Sequence, residues 1–392
     1  QAGISVVGGG PAGLVAALSL ARAGFETLLF APPPPHPDRR TTALLGASVD
    51  TLRDLGVWDN IAANTAPLRK LRLVDGTRRL VRTPEVLFDS AELGLEAFGY
   101  NIENEVLLAA LRETIAHEAH IKTFTLPAAH ITPRDNDVTI ALADGTAFSV
   151  RLVAAADGRN SVSRAAAGIS TTKRPLPQSA IALNFSHSRP HHDISTEFHL
   201  ESGPFTLVPL PGNRSSLVWV CTPDEAERIR AVNDIELSAE IECRSASIVG
   251  EVKVNGARGI FPLHVEIAER FAASRVALIG EAGHVLPPIG AQGLNLGIRD
   301  AVAIAEIAAR NAADPGSEIA MAAFDSSRRT DVRSRAIAVE WLGRSLLSGF
   351  LPVHMARGLG LEFASRIGPL RRLMMRAGLG ESVFRTHLRN AN

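Results

Sequence analysis

A short apolar run, a helical pattern and a second apolar run open the chain. Residues 4–8 form the first run, which ends in glycine, and residues 27–31 form the second. Between them, Leu14 and Leu18 fall on one face of a helix that would begin at Pro11. Apolar runs of this kind are typical of buried parallel strands, and strand, helix and strand within about 30 residues make a βαβ unit. The pattern therefore predicts a parallel sheet at the start of the chain.

The rest of the chain alternates between helical and strand patterns. A helical pattern covers residues 104–117, and an Asp-Gly turn at 144–145 separates two runs with strand character. The middle of the chain, 178–262, is rich in strand patterns. The later apolar segments are a buried strand at 275–280, a helix at 294–310 and a helical, basic region from 324 onward. This order of elements predicts a mixed α/β (α+β) protein.

The junction between the first strand and the first helix carries the pattern G-x-G-x-x-G. Gly8 allows a tight turn, Gly10 lets the backbone approach a pyrophosphate, and Gly13 lets the helix pack near the strand. With Pro11 and Ala12, these residues place the free N–H groups of a helix N-terminus beside the phosphates. A glycine pattern alone is weak evidence, but its place between a strand and a helix indicates a dinucleotide site. A purely structural turn is the alternative interpretation.

The end of the second strand lacks the acidic residue that usually hydrogen-bonds the adenosine ribose. Ala31 occupies that position. Either another residue makes this contact, or the affinity for the nucleotide is lower. Arg39 and Arg40 follow shortly and are suited to contact phosphate or the cofactor ring, although a solvated surface is the alternative for both.

Two later segments that are rich in small residues follow predicted strands. One is 155–164, which contains Asp157 and Gly158, and the other is 280–295, which contains Glu281. Small residues where strand ends converge leave room for a bound cofactor. A helix begins near Gly293 in the second segment, and its N–H groups would stabilise negative charge on that cofactor.

The order of these three motifs resembles that of the single-component aromatic hydroxylases of the para-hydroxybenzoate hydroxylase type. The resemblance covers nearly the whole chain. Within that superfamily the chain is most similar to the ubiquinone-biosynthesis hydroxylases, in residues 40–44, 55–58, 98–104 and 290–300. The run Gln-Gly-x-Asn-Leu-Gly-x-Arg-Asp in the last of these stretches is the most specific of them.

The resemblance implies an FAD site built from several parts of the chain. The expected cofactor contacts are Gly8, Gly10, Pro11, Ala12, Gly13, Ala31, Arg40, Asn104, Asp157, Gly158, Glu281, Pro288, Gly290, Gly293, Leu294 and Asn295. Glu281 stands where the family usually has Asp, and Pro287 where many relatives have His. With Ala31, these departures bear on the affinity for FAD more than on the identity of the cofactor.

The resemblance also implies a Rossmann-like FAD-binding domain with a β-sheet substrate domain and a C-terminal helical region. The expected bounds are 1–70, 101–175 and 265–330 for the FAD-binding domain, 71–100 and 176–264 for the substrate domain, and 331–392 for the helical region.

The activity that the resemblance implies is hydroxylation of the aromatic ring of a (poly)prenylated phenol in ubiquinone biosynthesis. NAD(P)H would reduce FAD, and oxygen from O2 would be transferred through a flavin C4a-hydroperoxide. The pocket must exclude water, and Pro287, Phe205 and Phe261 are suited to line it. Trp219 either joins this pocket or packs in the core. No residue stands out as a catalytic acid or base.

Composition limits the other classes of partner and site. The formal net charge of 0 gives no argument for nucleic acid. Cys221 and Cys243 lack metal-type spacing, and no secretory pattern is visible, so we expect a cytoplasmic protein without disulfides. The pair His191-His192 is interpreted as a solvated loop, and no metal is expected. No apolar run reaches the roughly 18 residues of a membrane span.

The charge is concentrated at one end of the chain. Residues 328–389 contain 12 Arg, no Lys and four acidic residues, a formal charge of +8. Apolar residues alternate with these arginines, which is typical of a segment that lies on an anionic membrane surface. We therefore expect peripheral contact with the inner membrane or with a biosynthetic complex. Packing of the apolar side chains against the protein itself is an equal alternative.

Two other functions stay open from the sequence. One is an FAD monooxygenase that acts on a small soluble aromatic substrate. The other is a weakly flavinated accessory protein of a biosynthetic complex, with Ala31 as the sign of a weakened hold on the cofactor.

Overall fold

A computed structural model describes residues 2–34, 38–77, 84–347 and 368–379. The strands within these ranges are β1 (Ala2–Val7), β2 (Thr27–Phe30), β3 (Thr41–Leu45), β4 (Ala66–Pro67), β5 (Lys70–Asp75), β6 (Val86–Asp89), β7 (Gly99–Glu103), β8 (Ile121–Phe124), β9 (Ala128–Pro133), β10 (Val138–Leu142), β11 (Ala147–Ala155), β12 (Thr171–His187), β13 (Ile194–His199), β14 (Pro204–Leu210), β15 (Arg214–Cys221), β16 (Val252–Val254), β17 (Gly259–Ala268), β18 (Ala272–Ala273), β19 (Val276–Leu278) and β20 (His284–Val285).

The α-helices in the same ranges are α1 (Pro11–Arg22), α2 (Gly46–Asp54), α3 (Trp58–Ile61), α4 (Asn104–Ala116), α5 (Val162–Ala166), α6 (Pro223–Ala231), α7 (Asp234–Arg244), α8 (Gln292–Arg310), α9 (Glu318–Leu347) and α10 (Gly368–Leu379). Short 3-10 turns cover Ala62–Asn64, Ser90–Leu93 and Gly280–Ala282. In this part of the chain, none of the helices combines the length and hydrophobicity that a membrane span requires.

The first sheet confirms the predicted βαβ unit. Its strands run in the order β18-β19-β11-β1-β2-β8, and β10 joins β11 to β9. The pairs β1–β2, β1–β11, β2–β8 and β11–β19 are parallel, so their carboxyl ends meet at one edge. Ile4 and Val6 face a core shared with α1, α4 and α8, whereas Val7 and Phe30 face a second core on the other side of the sheet. A packed core therefore covers each of the two faces of this sheet, as a parallel sheet requires.

The second sheet is larger and mostly antiparallel. Its order is β20-β17-β12-β15-β14-β13-β5-β6, with β16 paired to β12. One face is packed against α6 and α7, whose Ile229, Leu237 and Ile241 belong to the same core as Trp219 and Phe205. The overall class is therefore mixed α/β, with a Rossmann-like domain beside a β-sheet domain, as predicted.

A small sheet of three strands has the order β3-β7-β4, and its Leu44 and Ile102 belong to the core that lies on one face of the first sheet. Asn101 on β7 is buried, and its Nδ2 donates to the carbonyl oxygen of Pro209 at 2.9 Å and to Ser216 Oγ at 3.3 Å. Glu103 at the end of β7 pairs with Arg214 at 2.8 Å. These contacts tie the small sheet to strands β14 and β15 of the second large sheet.

Two helices within the strand-rich middle were not predicted. Both α6 and α7 interrupt the 178–262 segment. Helix α6 begins after Thr222, whose hydroxyl accepts from the backbone N–H of Glu225, and has Pro at its first position. Helix α7 begins after Asn233, whose side chain accepts from two backbone N–H groups. Both starts are ordinary N-cap signals, and they were visible in the sequence.

The C-terminal region is described in part. Helix α9 begins at Glu318, six residues before the predicted helical region, and continues to Leu347. Residues 348–367 and 380–392 of the basic segment lie outside the described residues, as do the side chains of 337–347. Helix α10 packs Met375 against Val86 and Phe88 of the second sheet.

Candidate functional site

The glycine turn after β1 leaves an open cradle at the start of α1. Gly8 has a φ of +123°, and a Cβ on it would lie 2.1 Å from the carbonyl oxygen of Ala156. A Cβ on Gly13 would lie 2.2 Å from the carbonyl oxygen of Gly8, so helix and strand meet as closely as backbones allow. A Cβ on Gly10 would meet nothing within 4 Å, and no side chain caps the helix. The first N–H groups of α1 therefore face open space, which suits a pyrophosphate.

Ala31 packs against this turn at the end of β2. A Cβ on Gly9 would lie 2.9 Å from the Ala31 methyl group, so a small residue at position 31 lets the turn sit close to the strand. No carboxylate is present at the strand end itself. The site therefore lacks the usual acidic contact to the ribose at this position.

Arg40 is held in a chain of hydrogen bonds that joins the start of β3 to the start of α4. Its guanidinium donates to both carboxylate oxygens of Asp38, each at 2.7 Å. Asn104 Nδ2 donates to Asp38 at 2.9 Å, and Thr42 Oγ1 donates to Asn104 Oδ1 at 2.6 Å. Burial acts to raise the pKa of Asp38, but the hydrogen bond and charge of Arg40 outweigh it and hold that pKa below its ordinary value. The hydrogen bond with Asp38 in turn raises the pKa of Arg40.

Asp157 turns its side chain into its own loop. Its carboxylate accepts from Ser161 Oγ at 2.5 Å, from Ser163 Oγ at 2.9 Å and from the Ser163 backbone N–H at 3.0 Å. Gly158 follows with a φ of +78° and has no heavy atom within 4 Å of a Cβ position. Asp157 therefore shapes the loop, and the backbone around Gly158 is what faces open space.

Arg159 and Glu281 join two segments that are far apart in the sequence. The guanidinium donates to Glu281 Oε1 at 2.9 Å and to Oε2 at 3.1 Å, and both side chains are about half exposed. Arg164 adds a second link, because its Nη1 donates to the carbonyl oxygen of Ala282 at 2.8 Å. Hydrogen bonds thus hold the segments 155–164 and 280–295 together at the carboxyl edge of the first sheet.

A buried ionic cluster lies beneath these segments. Asp300 on α8 is 0% exposed and accepts from the Gly280 backbone N–H at 2.9 Å, from His284 Nε2 at 2.7 Å and from Arg328 Nε at 2.6 Å. Burial acts to raise the pKa of Asp300, but the charges of His284 and Arg328 outweigh it, so the pKa lies below its ordinary value. The side chain of His284 is therefore held inside the protein by Asp300 and does not reach open space.

The start of α8 is a second open helix N-terminus. Ala291, its N-cap residue, has a left-handed φ of +53° and no side-chain cap is present. Asn295 braces this turn, because its Nδ2 donates to the carbonyl oxygens of Ala291 at 2.6 Å and Ala43 at 2.8 Å. Its Oδ1 accepts from the Leu45 backbone N–H at 2.9 Å. A Cβ on Gly293 would meet nothing within 4 Å, so the first donors of α8 also face open space.

Small residues bring the two helix starts together. A Cβ on Gly297 of α8 would lie 3.0 Å from the methyl group of Ala12 on α1, and a Cβ on Gly280 would lie 3.5 Å from the same methyl. Because this packing is so close, both uncapped N-termini belong to one site. Room and donors are thus present for a pyrophosphate at one helix and for an anionic ring at the other.

Comparison with known proteins decides the family. The FAD-binding domain family matches residues 1–337. The chain belongs to this family. It is 34% identical to the ubiquinone hydroxylase UbiL of Rhodospirillum rubrum, over 97% of this chain and 90% of that protein. It is 33% identical to the 3-demethoxyubiquinol 3-hydroxylase of Escherichia coli, over 96% of this chain and 98% of that protein.

Solved structures of the same shape agree with the fold. The p-nitrophenol 4-monooxygenase PnpA of Pseudomonas putida superposes with a TM-score of 0.79 at 19% identity, over 96% of this chain and 98% of that one. HpxO of Klebsiella pneumoniae, solved with FAD and uric acid, superposes with a TM-score of 0.74 at 18% identity, over 96% of both chains. These two structures bear on the fold alone. The family match and the two hydroxylase relatives show that the present protein is a hydroxylase of the aromatic class with FAD as its cofactor.

Most of the expected FAD contacts lie at the two open helix starts or on the segments that border them. The exposed ones among them include Gly10, Gly293, Pro288 and Gly290. Asn104 and Asn295 are buried instead and act through hydrogen bonds that hold neighbouring segments. Pro287 is also buried.

The four predicted pocket residues divide between different surroundings. Phe205 pairs with Trp219, and Trp219 pairs with Ile181, so these three side chains point to one face of the second sheet. All three are 0% exposed and pack in the core beneath α6 and α7. The placement corrects the expectation that Phe205 lines the pocket, and it decides for core packing in the case of Trp219.

Phe261 lies on the opposite face of that sheet. It pairs with Ala180, which is adjacent to Ile181 along β12 and therefore points the other way. The Arg40 guanidinium carbon lies 5.7 Å from the centre of the Phe261 ring. Thr206 and Val218 share this face and are partly exposed. The face that carries Phe261 therefore meets the segment that leads into β3.

Sequence reasoning missed several residues that build the site. Asp38, Arg159 and Asp300 hold the segments in place, yet none was singled out as a contact. Among the described residues, no group of three or more His, Cys, Asp or Glu is arranged to hold a metal ion. His191 Nε2 donates a hydrogen bond to the carbonyl oxygen of Leu210 at 3.0 Å, which is a structural contact.

Proposed function

We propose that this protein hydroxylates the aromatic ring of a (poly)prenylated phenol in ubiquinone biosynthesis, with NAD(P)H and O2 as co-substrates. The observation that supports the proposal is similarity, along almost the whole chain, to two proteins that are named as hydroxylases of ubiquinone or its precursor. The sequence identities are 34% and 33%. The solved structures are 18% and 19% identical and support the fold alone.

The site geometry supports a specific arrangement of FAD. The turn Gly8–Gly13 and the N-terminus of α1 would hold the pyrophosphate, and the N-terminus of α8 with Gly293 and Leu294 would border the flavin ring. Bound FAD supplies a hydride acceptor for NAD(P)H and the means to activate O2. Glu281 would reach the ribityl chain while it remains paired with Arg159.

The chain's own residues then have three tasks. The free N–H groups of α8 stabilise negative charge beside the ring. The pair Arg40–Asp38 fixes a cation at the junction with the second sheet. Phe261, Val218 and the buried Pro287 provide apolar surface that excludes water from the reacting ring. In this proposal, residues 71–100 and 176–264 form the substrate domain. Residues 1–70, 101–175 and 265–330 form the FAD-binding domain, and residues 331–392 form the C-terminal helical region.

Contact of the basic segment with a membrane surface is part of the proposal, since a prenylated phenol is dissolved in the bilayer. On α10, Arg372 and Leu373 are exposed, whereas Met375 is buried against the second sheet. One face of this helix is thus used for packing, and the other carries charge. Sedimentation with anionic vesicles, compared with neutral ones, tests whether the segment binds lipid.

The test of the function is the visible spectrum of the purified protein, before and after addition of FAD and then NADPH in air. We expect a flavin band that bleaches and recovers, and recovery that a phenol with a long prenyl tail accelerates more than the same phenol without a tail. Equal acceleration by both phenols would instead support a small soluble substrate.

The accessory-protein alternative is favoured by one observation, the absence of a carboxylate at Ala31. In that case the protein would be colourless and would gain no flavin spectrum at high FAD. This result would overturn the proposed enzyme function.

A further inference from the structure

Gln292, the first residue of α8, connects the open helix start to α9. Its Nε2 donates to the carbonyl oxygen of Gly290 at 2.9 Å, and its Oε1 accepts from Arg335 Nη1 at 2.8 Å. Arg335 also donates from Nε to Asp331 at 2.9 Å, and its side chain is 13% exposed. The side chain of Gln292 therefore connects the guanidinium of Arg335 on α9 to the turn that begins α8.

This turn adopts a backbone conformation that its residues do not favour. Gly290 has a φ of +67° and Ala291 a φ of +53°. A left-handed alanine is unfavourable because its Cβ crowds the following carbonyl oxygen, so surrounding contacts must impose the conformation. Asn295 supplies one such contact to Ala291. The bridge from Arg335 through Gln292 to Gly290 supplies the other.

We propose that Arg335 is a positioning residue for the flavin, which acts through Gln292 on the N-terminal turn of α8. The proposal rests on the placement of the flavin ring at this helix start under the proposed function. Two effects follow from the geometry. The bridge keeps the first N–H groups of α8 aimed at the ring, which favours binding. The guanidinium also adds fixed positive charge to that of the helix start, which favours the reduced, anionic ring.

The test measures the FAD dissociation constant and the midpoint potential of bound FAD in purified variants. Gln292→Leu is the first variant, because it removes both hydrogen bonds of the bridge and leaves the pair Arg335–Asp331 intact. We expect its FAD dissociation constant to rise about tenfold, as loss of a charge-assisted hydrogen bond implies, and its midpoint potential to fall. Arg335→Gln should change both quantities in the same direction.

Two further variants separate positioning from general stability. Arg335→Lys keeps the charge, so it should restore most of the midpoint potential that Arg335→Gln loses. Arg333→Gln is the matched control, because Arg333 is exposed on the same helix, and neither quantity should change. If Arg335→Gln does not fold, Gln292→Leu decides the question alone.

Unchanged affinity and potential in Gln292→Leu would overturn the inference. The failure of the proposed function looks different, because the unsubstituted protein would then bind no FAD at all. Normal FAD binding by the unsubstituted protein with no effect in the variants removes only the role of Arg335.

Discussion

Arg159 and Glu281 form a two-point ion pair, with hydrogen bonds of 2.9 and 3.1 Å, across the carboxyl edge of the first sheet. The family resemblance predicts Asp at position 281, and the longer side chain of Glu281 meets the Arg159 guanidinium through both carboxylate oxygens. A departure from the family pattern is thus matched by a partner on a neighbouring segment.

The first prediction concerns this pair. Under the proposed arrangement of FAD, Glu281→Gln should weaken FAD binding by about three- to tenfold, because the neutral amide would hold Arg159 less firmly and contact the ribityl chain less strongly. Stability should change by less than about 1 kcal/mol, since both side chains are half exposed. Titration of flavin fluorescence and thermal unfolding measure the two effects. Glu227→Gln, which disrupts an exposed pair with Arg230, is the control and should leave FAD affinity unchanged.

The second prediction concerns the buried Asp300. Asp300→Ala should lower the free energy of unfolding by about 3–5 kcal/mol, because it leaves the Arg328 cation and His284 buried without their partner. Chemical denaturation measures this loss. Glu306→Gln on the same helix removes an exposed pair with Arg310 and should cost less than about 0.5 kcal/mol. A loss for Asp300→Ala no larger than that of the control would contradict the role of the buried cluster.

Asp300 also predicts the dependence of stability on pH. Its pKa in the folded protein is lowered, so the folded state favours the carboxylate more than the unfolded chain does. The resulting stability is fully present above the unfolded pKa, about 3.9, and is lost as the pH falls from there through the folded pKa. Unfolding of Asp300→Asn measured over the same range should show a shallower loss at acid pH. An identical slope in both proteins would rule out this contribution.

The third prediction separates the two faces of the second sheet. Val218→Phe should raise the KM for the aromatic substrate by about tenfold, with little change in stability, because Val218 lies on the same face as Phe261 and is partly exposed. Trp219→Leu should instead affect mainly stability. It should lower the free energy of unfolding by about 2–4 kcal/mol, since Trp219 is 0% exposed in the core. Steady-state kinetics and denaturation of both variants decide the matter. A larger KM effect from Trp219→Leu than from Val218→Phe would contradict the assignment of faces.

The fourth prediction concerns the attachment of α10. Arg371 donates to Glu92 at 2.6 and 2.7 Å, and its guanidinium carbon lies 4.8 Å from the centre of the Phe88 ring. Arg371→Glu should therefore release the helix and increase its rate of proteolysis. The exchanged pair, Arg371→Glu with Glu92→Arg, should recover part of the protection. Arg372→Glu is the control on the exposed side of the helix and should leave proteolysis unchanged.

The parts of the fold that depend on local rules could be predicted from the sequence. The turn at Gly8–Gly13 is one example, because each glycine answers a steric demand between neighbouring segments. Helices α6 and α7 were missed although Thr222 and Asn233 are good N-caps. Their strongly charged composition hid the apolar positions Ile229 and Ile241, which reveal the helical period only once the core is known.

The parts of the site that depend on packing could not be predicted. Alternation along β14 and β15 shows that Phe205 and Trp219 share a face, but not whether that face meets the cofactor or α7. The same holds for Asp38, whose partner Asn104 lies 66 residues away. Hydrogen-bonded side-chain pairs at such separation follow from the tertiary fold and leave no periodic signal in the sequence.

The strand order of the first sheet has a consequence for biosynthesis. Strand β1 pairs with β11, and β11 pairs with β19, which ends at Leu278. Residues up to 278 must therefore be translated before this row of strands is complete, and the N-terminal strand itself lacks its β11 partner until residue 155. During that wait its apolar edge is available to other nascent chains, as long-range parallel pairing implies. Recombinant yield should thus respond to slower translation or to chaperone supply more strongly than the stability of the finished protein would suggest.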